Sequence, residues 1–285
     1  LGYVATIRSR EAGGAIPPGE FVSLKHLLHE QRLIKSEAEV AIMREAADIS
    51  AQAHIRAMQN CRAGTTEAQL EAELIYQFMH RGARHSAYPS IVGSGANACI
   101  LHYTDNDSTL QNGQLVLIDA GCEYQHYAAD ITRTFPVSGE FSPTQRALYD
   151  IVLAANQAAI AQCHPGALFN APHEAAIATM VEGLIALGLL QGEAADIIRS
   201  EAYLQFCPHK SCHWLGLDVH DVGDYRLAGE WRPLQPGMVL TVEPGIYIPV
   251  DVTGRDNQQV SNAAGFVIEA ARGIGIRIED DVLIT

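Results

Sequence analysis

Residues 115 to 135 read LVLIDAGCEYQHYAADITRTF, and the two aspartates in this stretch govern how the rest of the chain is read. Asp119 sits at the end of an apolar run, Leu115 to Ala120, and Asp130 lies inside a second β-patterned run, Tyr127 to Phe135. Antiparallel pairing across the short connection can bring the two carboxylates together. A carboxylate set among Leu115, Val116, Leu117 and Ile118 loses hydration worth several kcal/mol unless a cation or hydrogen-bond donors replace it. Taken alone, the segment is explained equally well by a turn aspartate at a strand end and a salt-bridged partner such as Arg133.

Three later segments repeat the anomaly. PHKSCHWLGLDVHD, Pro208 to Asp221, carries His209, His213 and His220 among apolar residues. The four-residue spacing of His209 and His213 would share a helix face, but Gly216 and the alternation of Leu215, Leu217 and Val219 favour a strand. VLTVEPGIY, Val239 to Tyr247, puts Glu243 mid-strand before Pro244 and Gly245, which break a ladder. GIRIEDDVL, Gly275 to Leu283, places Arg277 and Glu279 on one strand face and turns Asp280 to the other. Arg277 can pair with Glu279 or hold another ligand carboxylate in orientation.

Four acids in apolar surroundings beside a histidine carry more negative charge than a core tolerates without metal. The expected ligands are Asp119, Asp130, His213, Glu243 and Glu279. Oxygen-rich ligation with one imidazole suits Mn²⁺, Co²⁺ or Fe²⁺, with Zn²⁺ also acceptable, and four carboxylates call for two ions. Such a pair, about 3.5 to 4 Å apart, bridges and activates a water and polarises a carbonyl, so metal-assisted hydrolysis is the expected reaction class.

The surrounding sequence reads as α+β. Ser36 with Glu39, and Thr66 with Gln69, form capping-box patterns before helical periodicity that runs to about Asn60 and Gly82. Strand patterns follow from Tyr88 to Pro136. Helices are expected at Pro143 to Cys163, Ala171 to Leu187 and Glu193 to Phe206, then strands at Met238 to Ile248 and Ile274 to Ile284. Helices and strands are segregated rather than alternating as βαβ units. Residues 1–30 carry turn signals and read as a linker or the remnant of a preceding domain, leaving 31–285 as the catalytic domain. The chain begins at Leu1 rather than Met, which suggests a processed or truncated piece.

Across 285 residues, 48% hydrophobic and 18% charged, there is enough chain for a sizeable core. With 19 basic and 33 acidic residues the formal charge is −14, which opposes nucleic-acid partners. The sequence shows no membrane span, signal peptide or CxxC pair, and six scattered cysteines are compatible with reduced thiols, so a cytoplasmic address is expected. A homo-oligomer is compatible with this composition. GSGAN, Gly93 to Asn97, lacks the GK[ST] of a phosphate loop. Cys207, His209, Cys212 and His213 have no standard zinc-knot spacing.

The order of DAG, DITRTF, HWLGLDVHD, VEPGIY and GIRIEDD resembles that in the pita-bread metallopeptidases of family M24, above all their Xaa-Pro aminopeptidase (aminopeptidase P) branch, over roughly His29 to Thr285. The resemblance implies a curved antiparallel sheet covered by helices. It also implies a metal-bridged hydroxide that cleaves the N-terminal Xaa-Pro bond of peptides. Asp119 and Glu279 would be shared by both ions, Asp130 would serve one, and His213 and Glu243 the other, with Glu243 also catalytic. His102 and His220 would bind substrate and handle protons, and His209 would line the substrate side. Tyr88 and Arg277 would support Asp119. Trp214, Tyr88 and Tyr247 are candidate walls for a proline pocket. A prolidase acting on Xaa-Pro dipeptides, a methionine aminopeptidase and a non-catalytic peptide-binding module are the alternatives. Two features depart from the family pattern: HGxxH is replaced by His209, Lys210, Ser211, Cys212, His213, and residues 251–272 resemble an insertion.

Overall fold

The capping boxes found in the sequence each open a helix in the computed structural model, which describes residues 2–10, 13–14, 22–251 and 270–285. Two short helices, α1 (Gly2–Arg8) and α2 (Lys25–Leu33), lie in or overlap the stretch expected to be a linker. Ser36 and Glu39 cap α3 (Glu37–Asn60) reciprocally, and Thr66 and Gln69 do the same for α4 (Glu67–His80). Each box satisfies backbone N–H groups that no helical carbonyl can reach.

The strands that follow are short. They are β1 (His85–Ser86), β2 (Ile91–Ser94), β3 (Leu115–Asp119), β4 (Cys122–Tyr124), β5 (Tyr127–Ala128) and β6 (Thr132–Pro136). Strand β3 is central, flanked by β2 and β6, and its register sets Asp119 opposite both Ile91 and Thr132. Helices α5 (Pro143–Ile160), α6 (Ala171–Ala186) and α7 (Ala194–Arg199) come next, then a small hairpin of β7 (Arg226–Leu227) and β8 (Glu230–Trp231). Finally β9 (Val239–Val242) and β10 (Gly245–Ile248) run antiparallel to β12 (Asp280–Leu283) and β11 (Ile274–Arg277). Among the described residues every strand pairing is antiparallel, in keeping with α+β.

Helices cover the strands in two groups. Ile49 on α3 and Leu70, Leu74 and Phe78 on α4 cluster with Val116 and Ile118 of β3. Leu148 and Val152 on α5 and Met180 and Leu184 on α6 cluster with Leu240, Ile246 and Ile276. Such apolar clusters contribute roughly 25 cal/mol per Å² buried, and they fix the strand ends between them.

Several expected elements are interrupted, and the interruptions carry the acids. Asp130 is not inside a strand: β5 ends at Ala128 and β6 begins at Thr132. Glu243 is not mid-strand either, because β9 stops at Val242 and β10 starts at Gly245. Pro244 has no N–H to offer a ladder, and the Glu243 N–H turns instead to the Ser211 carbonyl at 2.8 Å. The run from Ile274 breaks at Ile278 and Glu279, where the Glu279 N–H leaves its hairpin for the Thr132 carbonyl at 3.1 Å. The segment 209 to 219 is a loop rather than a strand, with an isolated bridge between Trp214 and Leu240. Gly216 explains part of this, since a Cβ there would stand 2.1 Å from the Asp221 carboxylate. The expected helix Glu193 to Phe206 divides into α7 and a 3₁₀ turn, Ala202–Gln205. Of the stretch read as an insertion, residues 252–269 lie outside the described residues.

Candidate metal centre

The breaks bring the acids to one place. Asp119 ends β3, Asp130 precedes β6, Glu243 follows β9 and Glu279 precedes β12. The antiparallel bridge of Thr132 to Glu279 joins the two halves where Asp119 already faces Thr132. All four carboxylates and His213 line a cleft of about 210 Å³, together with His102, His209, His220 and Arg277. Leu101 and Lys210, neither of them singled out as a site residue in the sequence, line it too.

Within this cleft one ligand atom each from Asp130, His213 and Glu279 lies within 4.8 Å of the others, close enough to share an ion. His213 Nδ1 donates to the Trp214 carbonyl at 3.0 Å, which fixes the tautomer and turns the Nε2 lone pair inward. That Nε2 lies 3.4 Å from Asp130 Oδ2 and 3.5 Å from Glu243 Oε1. Asp119 and Glu243 stand on the same cleft outside the three-residue group. Asp119 is held by Arg277, whose guanidinium reaches Oδ2 at 2.5 Å, and by the Tyr88 hydroxyl at 2.6 Å from Oδ1. The same hydroxyl lies 2.5 Å from Asp130 Oδ1, so one phenolic hydrogen serves two carboxylates.

The sequence left Arg277 a choice between Glu279 and another ligand acid, and the structure pairs it with Asp119. Arg133, a possible partner for Asp130, instead pairs with Asp280 at 2.6 Å. Asp281 accepts the Asp130 N–H at 3.2 Å, a support that nothing in the local sequence pattern announced.

The charges crowded on this cleft perturb one another strongly. Burial pushes the Glu243 carboxyl up to about 7, with Asp130 and Asp119 adding to the rise and His213 and Arg277 opposing it. Burial, then the neighbouring acids, drives Glu279 well above the usual carboxylate range, and burial and Asp119 raise Asp130. Burial alone would lower His213, but Asp130 and Glu243 lift it to about 9. The group therefore gathers protons in place of positive charge, which is how buried acids behave when a cation's position is filled by hydrogen. Among the described residues Glu279 has one donor, the Thr132 hydroxyl at 2.6 Å. The donor set, four carboxylates and an imidazole with its tautomer fixed, fits a divalent ion.

The remaining histidines separate by environment. Burial, then Arg277, pushes His209 down to about 4. Its Nδ1 donates to the Lys210 carbonyl at 2.8 Å, leaving Nε2 to accept from the Tyr247 hydroxyl at 2.9 Å, which itself accepts from Arg277 at 2.7 Å. His220 packs its ring edge-on to that of His213, centroids 4.4 Å apart, and burial, then His213 and His102, lower its pKa. His102 is exposed at the rim. Two of the expected pocket walls fail. Trp214 is 0% exposed, packed in one cluster with Phe169 and Tyr225, and Tyr247 is 3% exposed, so neither offers a face to substrate.

Comparison with known proteins agrees with this geometry. The profile of metallopeptidase family M24 matches residues 41–285. The chain is 48% identical over 268 residues to the Xaa-Pro aminopeptidase of Escherichia coli (strain K12), an alignment covering 94% of this chain and 58% of that protein. It superposes on the aminopeptidase PepP of Pseudomonas aeruginosa with a TM-score of 0.90 at 54% identity, over 100% of this chain and 62% of that one. A zinc-substituted aminopeptidase P of Escherichia coli in complex with product matches with a TM-score of 0.89 at 45% identity, over 99% of this chain and 61% of that one. The chain thus spans about three fifths of the length of these relatives. No described helix is long and apolar enough to cross a membrane. With its profile, its relatives and its strand-break acids in agreement, the chain belongs to metallopeptidase family M24 and carries the pita-bread fold of that family.

Proposed function

We propose that this chain is the catalytic part of an aminopeptidase that hydrolyses the bond between an N-terminal residue and a following proline, working with two divalent ions, Mn²⁺ preferred. The carrying observation is the convergence of Asp119, Asp130, His213, Glu243 and Glu279 on one cleft, with the tautomer of His213 already set for ligation. The printed names of the relatives, Xaa-Pro aminopeptidase and aminopeptidase P, supply the substrate class. The five side chains would together hold the ions, with Asp130, His213 and Glu279 near enough to meet at one of them and Asp119 and Glu243 completing the set. When bound, such ions supply Lewis acidity toward the peptide carbonyl and make water a stronger acid.

The chain's own groups do the rest. Glu243, a carboxylate on the cleft 3.5 Å from His213 Nε2, takes the proton of the attacking water and returns it to the proline nitrogen as the bond breaks. His220, kept neutral, donates a hydrogen bond to the oxygen on which negative charge develops. His102 at the rim and His209 beside Glu243 contact the peptide, and the Arg277 to Tyr247 to His209 chain holds the His209 ring in place. Arg277 and Tyr88 orient Asp119. A proline nitrogen carries no N–H, so recognition rests on shape and on the residues around the bond. Six free cysteines support a reducing, cytoplasmic setting.

Incubation with Mn²⁺ and an Xaa-Pro-Xaa tripeptide tests the reading. Release of the first amino acid is expected, and no release by protein with verified metal content overturns it. A preference for Xaa-Pro dipeptides selects the prolidase alternative instead. Failure of the folded protein to retain metal selects a binding module.

A further inference from the structure

Among the residues on the wall of the cleft is a lysine, Lys210. Its backbone is held from both sides: the Lys210 carbonyl accepts from His209 Nδ1 at 2.8 Å, and the next N–H, that of Ser211, donates to His173 Nδ1 at 3.3 Å. The side chain is exposed, and no described carboxylate pairs with it. Arg277, the other permanent cation on this wall, is 4% exposed and already engaged by Asp119, Tyr247 and Thr132. Lys210 is therefore the cation on the wall that remains free to meet a ligand.

A short peptide carries an ammonium at one end and a carboxylate at the other. On the aminopeptidase reading the acid cluster would take the cleaved bond, and the residues beyond proline would extend from it along the cleft. In a tripeptide the terminal carboxylate lies about 7 Å past that bond, and Lys210 lines the same cleft. We propose that Lys210 binds a carboxylate on the leaving side of the peptide, favouring short peptides with a free C-terminus, and this rests on the aminopeptidase reading above. An acidic side chain after proline offers the same chemistry.

Product binding tests this apart from turnover. Pro-Ala, Pro-Ala-amide and Pro-Glu-amide would be titrated calorimetrically into the metal-loaded protein and into its Lys210→Met and Lys210→Glu variants. Lys210 is exposed, so the variants are expected to fold, and metal content confirms that the cluster is intact. Pro-Ala should bind about fivefold more tightly than its amide, as a partly screened ion pair allows, and the preference should fade in high salt. The ratio should fall to one in Lys210→Met and invert in Lys210→Glu. Tighter binding of Pro-Glu-amide than of Pro-Ala-amide assigns the side-chain source as well. Equal affinities in the wild type, including no measurable binding of either, or a preference that survives Lys210→Met, overturn the assignment. Turnover of Ala-Pro-Ala is scored separately: its absence sinks the peptidase reading, while the binding ratio still decides Lys210.

Discussion

Two buried glutamates, Glu67 and Glu279, face the same desolvation and meet it in opposite ways. Glu67 is 0% exposed and Glu279 1% exposed. Around Glu67 the protein supplies five donors: the Ser94 N–H and hydroxyl, the Asn97 amide, the Tyr103 hydroxyl and the Ser108 N–H, all at 2.6 to 3.1 Å. Around Glu279 it supplies the Thr132 hydroxyl and then three more acids on the same cleft. A carboxylate surrounded by neutral donors is finished as a piece of structure. One surrounded by carboxylates is finished when a cation arrives. Glu67 also ties the loop bearing Leu101 and His102 to the start of α4, so the structural glutamate holds a wall of the cleft that Glu279 lines.

Removing each side chain should separate the roles. Glu279→Ala is expected to lower kcat/KM on the order of a thousandfold, as loss of a preorganised electrostatic group does, with reduced metal content and a retained fold. Glu67→Ala should do the reverse: denaturant unfolding should show stability lower by about 3 kcal/mol, because five donors lose their acceptor, while metal stoichiometry stays the same. If Glu67→Ala lost metal at full stability, the contrast would collapse.

The contrast was half legible in the sequence. Ser36, Thr66 and their partners three residues on could be read because a capping box is a local pattern. Acids set in apolar text mark the candidate ligands for the same reason: the anomaly lies in the immediate neighbours. What could not be read was where the strands break. Glu279 leaves its hairpin for Thr132, 147 residues earlier, and only folded register reveals that. The alternation of Leu215, Leu217 and Val219 imitates a strand, whereas the segment is a loop in which Gly216 sits where a Cβ would meet the Asp221 carboxylate. Trp214 sat beside a ligand in the sequence and was read as a pocket wall, yet its side chain points away into the aromatic cluster with Phe169 and Tyr225. Glu67 follows the Thr66 cap as the acidic residue of a first turn, and nothing in the sequence marks its burial.

Two further outcomes sharpen the comparison. Tyr88→Phe removes the hydroxyl shared by Asp119 and Asp130, and metal affinity measured by competitive chelation should fall about tenfold. An unchanged affinity would show that Arg277 alone orients Asp119. The effect of pH is smaller in size but fixed in sign. In metal-free protein Glu243 folds with its pKa raised to about 7, so its contribution to stability is full below the unfolded value and is lost as pH rises through about 7. Ions need the deprotonated acid, so the rise in melting temperature caused by metal should shrink as pH falls from about 8 to about 5. A constant rise across that range would mean that the ions bind elsewhere.

The account stands or falls on whether the strand-break acids hold metal. Metal-free protein equilibrated with Mn²⁺ and desalted, then assayed for bound metal by mass spectrometry, is the direct measurement. Two equivalents per chain in the wild type, with fewer in Glu279→Ala and no change in Glu67→Ala, are predicted. Less than one equivalent on folded wild-type protein would contradict it.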